Sequence, residues 1–304
     1  MVLRIRIFGF LFIALACTLL LAFRFPVVQV SSGAGFACEH TLEGQVRCWG
    51  NNVFGQAQPP RGDFAQVSAG WLHACAVTQD SQAICWGSNL HGQTNVSPGR
   101  FSQISAGYWH TCGLTLDGRI RCWGDDRYGQ ATVPERTEQD FFVQVSAGGY
   151  FTCALTRQGE PICWGDDRQG QSSPPPVAFS ELSAGAEHAC GITRDTCEVY
   201  CWGYRISQLD PSMQSSTTTV SPSDASLTQR GTPAMGIATG AQHSCLLTLD
   251  GAAHCWGSNS HGQLNAPVNV AFVQVSAGWD HTCGVTNTGQ VICWGGLGNE
   301  EVTF

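Results

Sequence analysis

Short runs of alternating hydrophobic and polar residues fill most of the chain after residue 26. A typical unit opens with "FVQVSAG" (272–278), continues through "HTCGVT" and "QVICWG", and in most copies ends in a polar loop with Gly-Gln and proline. Short alternating runs separated by Gly, Asn, Asp and Pro are typical of β-strands joined by turns. No window beyond the N-terminus has the spacing of an amphipathic helix. The pattern therefore predicts an all-β chain.

The same unit returns seven times, and each copy ends in Trp-Gly. The tryptophans are Trp49, Trp86, Trp123, Trp164, Trp202, Trp256 and Trp294. Self-similarity at such a period indicates a solenoid, a propeller or an array. A unit of about 38 residues suits a four-stranded propeller blade, whereas the competing fold, an open β-solenoid, has shorter coils. We predict one domain over residues 27–304, a seven-bladed β-propeller.

Each unit carries two cysteines, ten residues apart in six units and eleven apart in the fifth. A three-residue turn with glycine in the left-handed conformation, such as "RQG" (157–159), would set Cys153 directly opposite Cys163. Directly opposed strand residues lie within disulfide range. We therefore predict one intra-hairpin disulfide per blade, with Cys197 left over. The predicted pairs are Cys38 with Cys48, Cys75 with Cys85, Cys112 with Cys122, Cys153 with Cys163, Cys190 with Cys201, Cys245 with Cys255, and Cys283 with Cys293.

The cysteine spacing also bears on metal binding and on the cellular compartment. Zinc ligands usually come in pairs two to four residues apart, which this spacing does not supply, so no metal site is predicted. Structural disulfides form in oxidising compartments. The chain is therefore expected to be exported.

Residues 1–26 have the pattern of a targeting segment. Arg4 and Arg6 precede an apolar run over 7–23, and Arg24 follows it. The run is slightly short for a membrane-spanning helix but within range. The segment is consistent with a cleaved signal peptide and equally with a retained signal-anchor. In both cases the propeller would be secreted, periplasmic or at the cell surface, with membrane contact only through this segment.

The repeat carries a family resemblance. The phrase Gly-x-x-His-x-Cys-x-x-Thr, a turn, Cys-Trp-Gly and then Gly-Gln resembles the repeat of the regulator of chromosome condensation family over roughly residues 27–299. The resemblance implies a seven-bladed propeller. "WGSNLHGQTNV" (86–96) and "WGDDRYGQATVP" (123–134) are more similar to the secreted bacterial group, which includes a propeller inhibitor of β-lactamases. Because one fold hosts many functions, the resemblance does not transfer a partner.

Charge excludes one function class. All fifteen basic residues are arginines, and twelve of them, against 23 acidic residues, remain when the three in the N-terminal segment are set aside. Nucleic-acid binding depends on a basic patch or arm that neutralises phosphates. The acidic chain is therefore not expected to bind nucleic acid or to fill a nuclear role.

Residues that differ between units indicate where a partner would bind. The loops after Ser-Ala-Gly and after Trp-Gly are separated by two strands and one turn, so they emerge on one face. Trp, Tyr and Arg are enriched at interface hot spots. The predicted partner-binding residues are Trp71, Tyr108, Trp109, Tyr150, Trp279 and Asp280 from the first loops and Phe54, Arg127, Tyr128 and Arg168 from the second.

No nucleophile–base pair or carboxylate dyad is visible in the repeats. We therefore expect a monomeric, non-catalytic protein without a cofactor, acting as a scaffold or inhibitor of another protein. A carbohydrate-binding propeller and a β-lactamase-inhibitor-like protein are the alternatives.

A histidine recurs two residues before the first cysteine of each unit and is replaced by Phe36 and Phe151 in two units. A position that accepts phenylalanine is expected to be packed, with a buried hydrogen bond where histidine occurs.

The Ser/Thr/Pro-rich segment 204–236 has the composition of a surface loop, and we interpret it as a tolerated insertion.

Overall fold

The computed structural model describes residues 29–135, 141–204 and 233–297, and within them every helix or strand is a β-strand. Residues 1–26 and most of the predicted insertion lie outside this part. None of the described residues forms a helix long and apolar enough to cross a membrane.

The described residues form twenty-one strands in seven separate antiparallel sheets of three strands, one for each sequence unit. Blades 1 to 4 contain β1 (Gln29–Ser32), β2 (Phe36–His40), β3 (Val46–Gly50), β4 (Phe64–Ala69), β5 (His73–Thr78), β6 (Ala83–Gly87), β7 (Phe101–Ala106), β8 (His110–Thr115), β9 (Ile120–Gly124), β10 (Phe142–Ala147), β11 (Phe151–Thr156) and β12 (Pro161–Gly165). Blades 5 to 7 contain β13 (Phe179–Ala184), β14 (His188–Thr193), β15 (Val199–Gly203), β16 (Ala234–Thr239), β17 (His243–Thr248), β18 (Ala253–Gly257), β19 (Phe272–Ala277), β20 (His281–Thr286) and β21 (Val291–Gly295).

The expectation of four strands per blade is wrong for the described residues. In the five blades with a Gly-Gln pair after Trp-Gly, the segment that follows this pair contains prolines such as Pro59, Pro98 and Pro267, and its described residues form no fourth strand. Proline lacks the N–H group that a β-ladder needs. Within the described residues, the last strand of each blade is therefore its Trp-Gly strand.

The second and third strands of each blade form the hairpin that the sequence predicts. Cys153 lies directly opposite Cys163, and Gly159 in the turn has a φ of 85°. The hydroxyl of Thr156 accepts the N–H of Glu160 and closes the turn. The two cysteines of each hairpin therefore point to the same side of the ladder.

All seven predicted disulfides are confirmed, with Cα–Cα distances of 4.0 to 4.1 Å. They join Cys38 to Cys48, Cys75 to Cys85, Cys112 to Cys122, Cys153 to Cys163, Cys190 to Cys201, Cys245 to Cys255, and Cys283 to Cys293. The expectation that Cys197 is left over is wrong. Cys197 lies buried in the longer turn of blade 5, and no cysteine of the described residues is a free thiol.

The Trp-Gly and Gly-Gln motifs join neighbouring blades. The indole N–H of Trp123 donates to the carbonyl of Gln93 in the preceding blade, and Trp164 donates likewise to Gln130, both at 2.9 Å. Blade 5 lacks the Gly-Gln pair. The buried indole N–H of Trp256 in the next blade consequently has no hydrogen-bond partner among the described residues.

The recurring histidines also act between blades. His73, His110 and His243 contact the hydroxyls of Thr111, Thr152 and Thr282 in the next blade at 2.8 to 2.9 Å, and His188 contacts Ser244. Where phenylalanine replaces histidine, alanine replaces the hydroxyl residue: the next-blade positions after Phe36 and Phe151 are Ala74 and Ala189. Burial lowers the pKa of His73 and His243 to about 3 and of His110 and His188 to about 4, so all four are neutral near pH 7.

The innermost strands surround a central channel. The N–H of Val30 in β1 donates to the side chain of Gln274 in β19, and Ser32 bonds Ser276, so the first and last blades meet directly. At one end of the channel a ring of seven glycines brings the blades together. A Cβ on any of them would clash with the carbonyl oxygen of the next glycine in the ring; they are Gly33, Gly70, Gly107, Gly148, Gly185, Gly240 and Gly278.

Candidate functional site

The two sets of loops that follow Ser-Ala-Gly and Trp-Gly meet on one face of the propeller, as the strand order requires. His91 in a loop of the second set lies 4.9 Å from the ring of Trp109 in the first. Tyr128 and Tyr150 make the same kind of contact at 5.2 Å. These contacts join neighbouring blades, so the loops form a continuous surface.

Three aromatic rings stand at the mouth of the channel, where the glycine ring forms a pit of about 100 Å³. Trp71 of blade 2 and Trp279 of blade 7 stack in nearly parallel planes, with 5.4 Å between ring centroids. Tyr108 lies 5.1 Å from Trp71 and 5.5 Å from Trp279. The intervening loop of blade 1 carries only the small residue Ala34, which leaves the two tryptophans free to meet.

The ring contacts continue from this trio across blades 3 and 4. Trp109 packs edge-on against Trp71 at 4.5 Å, and Tyr150 packs against Tyr108 at 6.0 Å. Tyr128 extends the series through its contact with Tyr150. We call the six connected rings the aromatic arc: Trp279, Trp71, Tyr108, Trp109, Tyr150 and Tyr128.

Two arginines complete the arc. The guanidinium of Arg168 lies 4.7 Å from the Tyr128 ring centroid, and that of Arg127 lies 5.9 Å from Tyr150. Cation–π contacts of this kind are worth about 0.5–1 kcal/mol at exposed sites. Both arginines are exposed, and their positions are defined by the aromatic rings and by ion pairs.

The ion pairs come from two buried aspartates in the loops that follow Trp-Gly. Asp125 accepts Arg127 Nε at 2.9 Å, and Asp166 accepts Arg168 Nε at 2.8 Å. The hydrogen bond from Arg168 lowers the pKa of Asp166. Hydrogen bonding to Asp125 raises the pKa of Arg127. Each Asp-Asp-Arg sequence thus orients one arginine towards the arc.

Tyr108 is the most enclosed polar group of the trio. Its hydroxyl is buried and has no hydrogen-bond partner among the described residues. Burial, the carboxylate of Glu187 and the neighbouring Tyr150 raise its pKa above the ordinary value. The hydroxyl is therefore a neutral donor beside the pit.

Two of the predicted binding residues stand apart from the arc. Phe54 is 44% exposed in the corresponding loop of blade 1, and it is not among the rings that contact one another in the described part of the chain. Asp280 turns back towards its own blade, where its Oδ1 lies 3.5 Å from His281 Nδ1. The other eight residues lie in or against the arc.

The face is asymmetric. Blades 2, 3, 4 and 7 supply all six rings, whereas blades 5 and 6 place Ala186 and Ala241 at the pit. The larger polar residues Glu187 and Gln242 follow these alanines. The arrangement is one extended surface, not a pocket repeated from blade to blade.

Comparison with known proteins identifies the repeat. The regulator of chromosome condensation (RCC1) repeat matches residues 27–56, 64–93, 101–130, 142–171, 236–263 and 272–300, more than half of the chain. Blade 5, with its longer disulfide loop and no Gly-Gln pair, is outside these matches.

Relatives and solved structures agree with this fold. The probable E3 ubiquitin-protein ligase HERC4 of Rattus norvegicus is 35% identical over 85 residues, which is 28% of this chain and only 8% of that protein. The CRINKLY WD40 ectodomain of the Arabidopsis thaliana receptor kinase ACR4 is 25% identical, with a TM-score of 0.69 over 91% of this chain and 97% of that chain. Prp20p of Saccharomyces cerevisiae, whose structure was described with its binding to Gsp1p and histones, is 18% identical. Its TM-score is 0.64, over 77% of this chain and 72% of its own.

Proposed function

The chain belongs to the regulator of chromosome condensation (RCC1) repeat family, and from this premise we propose that it is an exported, non-catalytic propeller that binds another protein through the aromatic arc. The observation that carries the proposal is the arc itself: six connected rings on one face of a disulfide-bonded scaffold. The partner would be occluded or held on this preorganised surface.

Rigidity supports binding through this face. Each blade is closed by a disulfide, and the rings hold one another in place, so little side-chain entropy would be lost on association. Preorganised surfaces gain affinity mostly by avoiding such ordering costs, about 0.5–1.5 kcal/mol for each immobilised side chain. Trp, Tyr and Arg, the three residue types of the arc and its flanking cations, are also those most enriched at hot spots.

The disulfides support export. Seven structural disulfides indicate an oxidising, extracellular environment. Like the receptor ectodomain that it resembles, the chain would then meet its partner outside the reducing cytosol. The proposal includes a monomeric protein and assigns no role in nucleic-acid binding, because acidic residues outnumber basic ones in the chain.

The geometry of the arc favours a protein over a carbohydrate. A sugar stacks on a free aromatic face, but Trp71 and Trp279 each turn one face to the other, and Trp109 packs against Trp71. The rings of the arc also come from only four of the seven blades. A protein surface can cover such a ridge, together with the arginines beside it.

Affinity capture from the native exported fraction tests the proposal. The wild-type propeller is compared with a W71A/W109A/W279A variant and with a matched L42S/L116S/L249S control. The control removes three exposed leucines from the hairpin turns at the other end of the blades. The captured protein is then purified and titrated against all three chains. We expect the control to bind as wild type does and the arc variant to lose at least about 30-fold in affinity, since even one hot-spot truncation costs about 2 kcal/mol.

Equal affinity of the arc variant, after circular dichroism shows it to be folded, would move the interface away from the arc. A hydrolysis assay with purified β-lactamases tests the inhibitor alternative. Unchanged rates at micromolar propeller would exclude that target class.

A further inference from the structure

The channel wall contains a ladder of side chains that joins each innermost strand to the next. Gln66 Oε1 accepts the N–H of Ile104 at 2.7 Å, and its Nε2 donates to the carbonyl of the same residue. Gln144 makes the same two bonds to Leu182. These amides satisfy the backbone groups of an edge strand that no other strand covers.

A second row of the ladder is made by serines. Ser68 accepts the N–H of Ala106, and Ser146 accepts that of Ala184, at 2.9 to 3.0 Å. Five blades have glutamine in the first row: Gln29, Gln66, Gln103, Gln144 and Gln274.

The ladder is interrupted at two neighbouring blades. Glu181 replaces glutamine in blade 5, and its Oε1 lies 3.5 Å from the N–H nitrogen of Ile237 instead of the usual 2.7 to 3.0 Å. In blade 6, Gly236 replaces the glutamine and Ala238 replaces the serine. Among the described residues, no side chain therefore reaches the N–H of Val275 in the next strand, whereas Gln274 reaches that of Val30.

The glutamate removes a donor from the ladder. Gln66 and Gln144 each use an amide nitrogen to donate to the carbonyl oxygen of the next strand, whereas an ionised Glu181 has no N–H to offer the carbonyl oxygen of Ile237. Two acceptor oxygens face each other favourably only when a donor lies between them. Burial raises the pKa of Glu181 to about 7, so above that pH the carboxylate itself supplies no proton.

Gly236 provides room beside this pair. A Cβ built on Gly236 would meet only Leu247, at 3.8 Å. The surrounding cavity has a volume of about 370 Å³ and is lined mainly by Gln, Ser and small apolar residues. Of the described residues that line it, Glu181 is the one with a titratable side chain.

We propose that the gap at Glu181 and Gly236 binds the ammonium group of a small amine, which donates hydrogen bonds to the Glu181 carboxylate and to the carbonyl oxygen of Ile237. An ammonium group has three donors and no acceptor, which matches a site made of acceptor oxygens. A calcium or magnesium ion is a poorer match because it takes six or more oxygen ligands in a defined geometry. The acidic chain favours a cation in its channel.

Titration with 1,4-diaminobutane tests this site, with the amide resonance of Ile237 and the thermal midpoint as readouts at about pH 8, where Glu181 is ionised. 1,4-Butanediol is the uncharged control ligand. We expect saturable binding of the diamine to wild type and none of the diol. Glu181→Gln, which restores the ladder amide, should weaken binding at least tenfold.

A second variant keeps the carboxylate and closes the gap. Gly236→Gln should also weaken binding at least tenfold, and both variants should raise the thermal midpoint in the absence of amine because they complete the ladder. The double variant E181Q/Q66E places the carboxylate in blade 2 instead of blade 5. It should not restore binding, because the next strand there carries Gln103 where blade 6 has Gly236.

Equal diamine binding by wild type and Glu181→Gln would overturn the proposal. Absence of diamine binding to wild type would also overturn it. In that case, a shift of the Ile237 amide resonance as Glu181 titrates would show that the carboxyl group donates its own proton instead. Neither result depends on the aromatic arc, so the proposed function is tested separately.

Discussion

Of the five recurring histidines, all within the described residues, His281 alone faces no hydroxyl in the next blade. The next-blade position is Ala37, and both are fully buried. Neither ring nitrogen has a hydrogen-bond partner within the described residues; Nδ1 lies 3.5 Å from Asp280 Oδ1, beyond good hydrogen-bond distance. Phe36 and Phe151 show that phenylalanine packs against alanine in this position. We therefore expect His281→Phe to stabilise the propeller.

The magnitude follows from the group removed. A buried, unpaired polar group costs about 1–3 kcal/mol, and the replacement abolishes that cost. Loss of the long contact with the partly exposed Asp280 offsets less than about 1 kcal/mol. A net gain of about 1–2 kcal/mol would raise the thermal midpoint by several degrees, since 1 kcal/mol corresponds to about 2–4 °C for a domain of this size.

His243→Phe is the matched control. His243 bonds the hydroxyl of Thr282 at 2.8 Å, so the same substitution there removes a buried hydrogen bond and should cost about 1–2 kcal/mol. Urea unfolding of the oxidised proteins measures both changes. Destabilisation of the His281 variant by as much as the His243 variant would refute the reasoning.

Three further expectations concern stability. Four buried histidines keep folded-state pKa values of about 3 to 4, below the unfolded value of 6.5, so their contribution is complete above about pH 6.5 and is lost as pH falls towards 4. Each of these histidines lowers the free energy of unfolding by about 1.4 kcal/mol for every pH unit in that window. Glu181, whose pKa is raised to about 7, acts in the opposite direction. Denaturant midpoints that stay constant from pH 7 to pH 4 would contradict this account. Replacing Cys245 and Cys255 by alanine should cost at most about 2.5–3 kcal/mol, the loop entropy of an intra-hairpin disulfide. A much larger loss of unfolding free energy would show that the bridge does more than close its hairpin. Trp164→Phe should cost about 1 kcal/mol more than Trp256→Phe, because only Trp164 donates to a carbonyl, and equal losses in thermal unfolding would argue against that bond.

The sequence was most informative where a position repeats. The ten-residue cysteine spacing and the Gly-containing turn predicted the register of every regular hairpin, because side chains on a strand alternate with a period of two. The Phe-for-His replacements predicted a packed interior position. In both cases the same short sequence pattern occurs in all seven blades, so one interpretation predicts the same contact in each.

Features that depend on neighbouring blades were harder to predict. The aromatic loops could be assigned to one face from strand order, but the stacking of Trp71 on Trp279 depends on the small Ala34 between them. The ion pairs of Asp125 and Asp166 were not among the predictions, and each joins two residues that lie only two positions apart in one loop. The signal that would have revealed Glu181 and Gly236 is a break in the Gln-x-Ser pattern, read down the column of repeats.

The prediction of four strands per blade failed for a chemical reason. Where a Gly-Gln pair follows Trp-Gly, the segment between this pair and the next blade has the length of a strand. Its prolines, however, cannot supply the N–H groups of a ladder. Counting residues per repeat indicated a blade, whereas proline content determined how many strands the blade contains.

Oxidative footprinting of the tryptophans in the complex tests the binding face most directly. Three of the ten tryptophans, Trp71, Trp109 and Trp279, lie in the aromatic arc, and the other seven belong to the Trp-Gly strands, which serve as internal references. The account predicts that bound partner lowers oxidation of the three arc tryptophans and leaves the seven blade tryptophans unchanged. Unchanged oxidation of the arc in a saturated complex would contradict it.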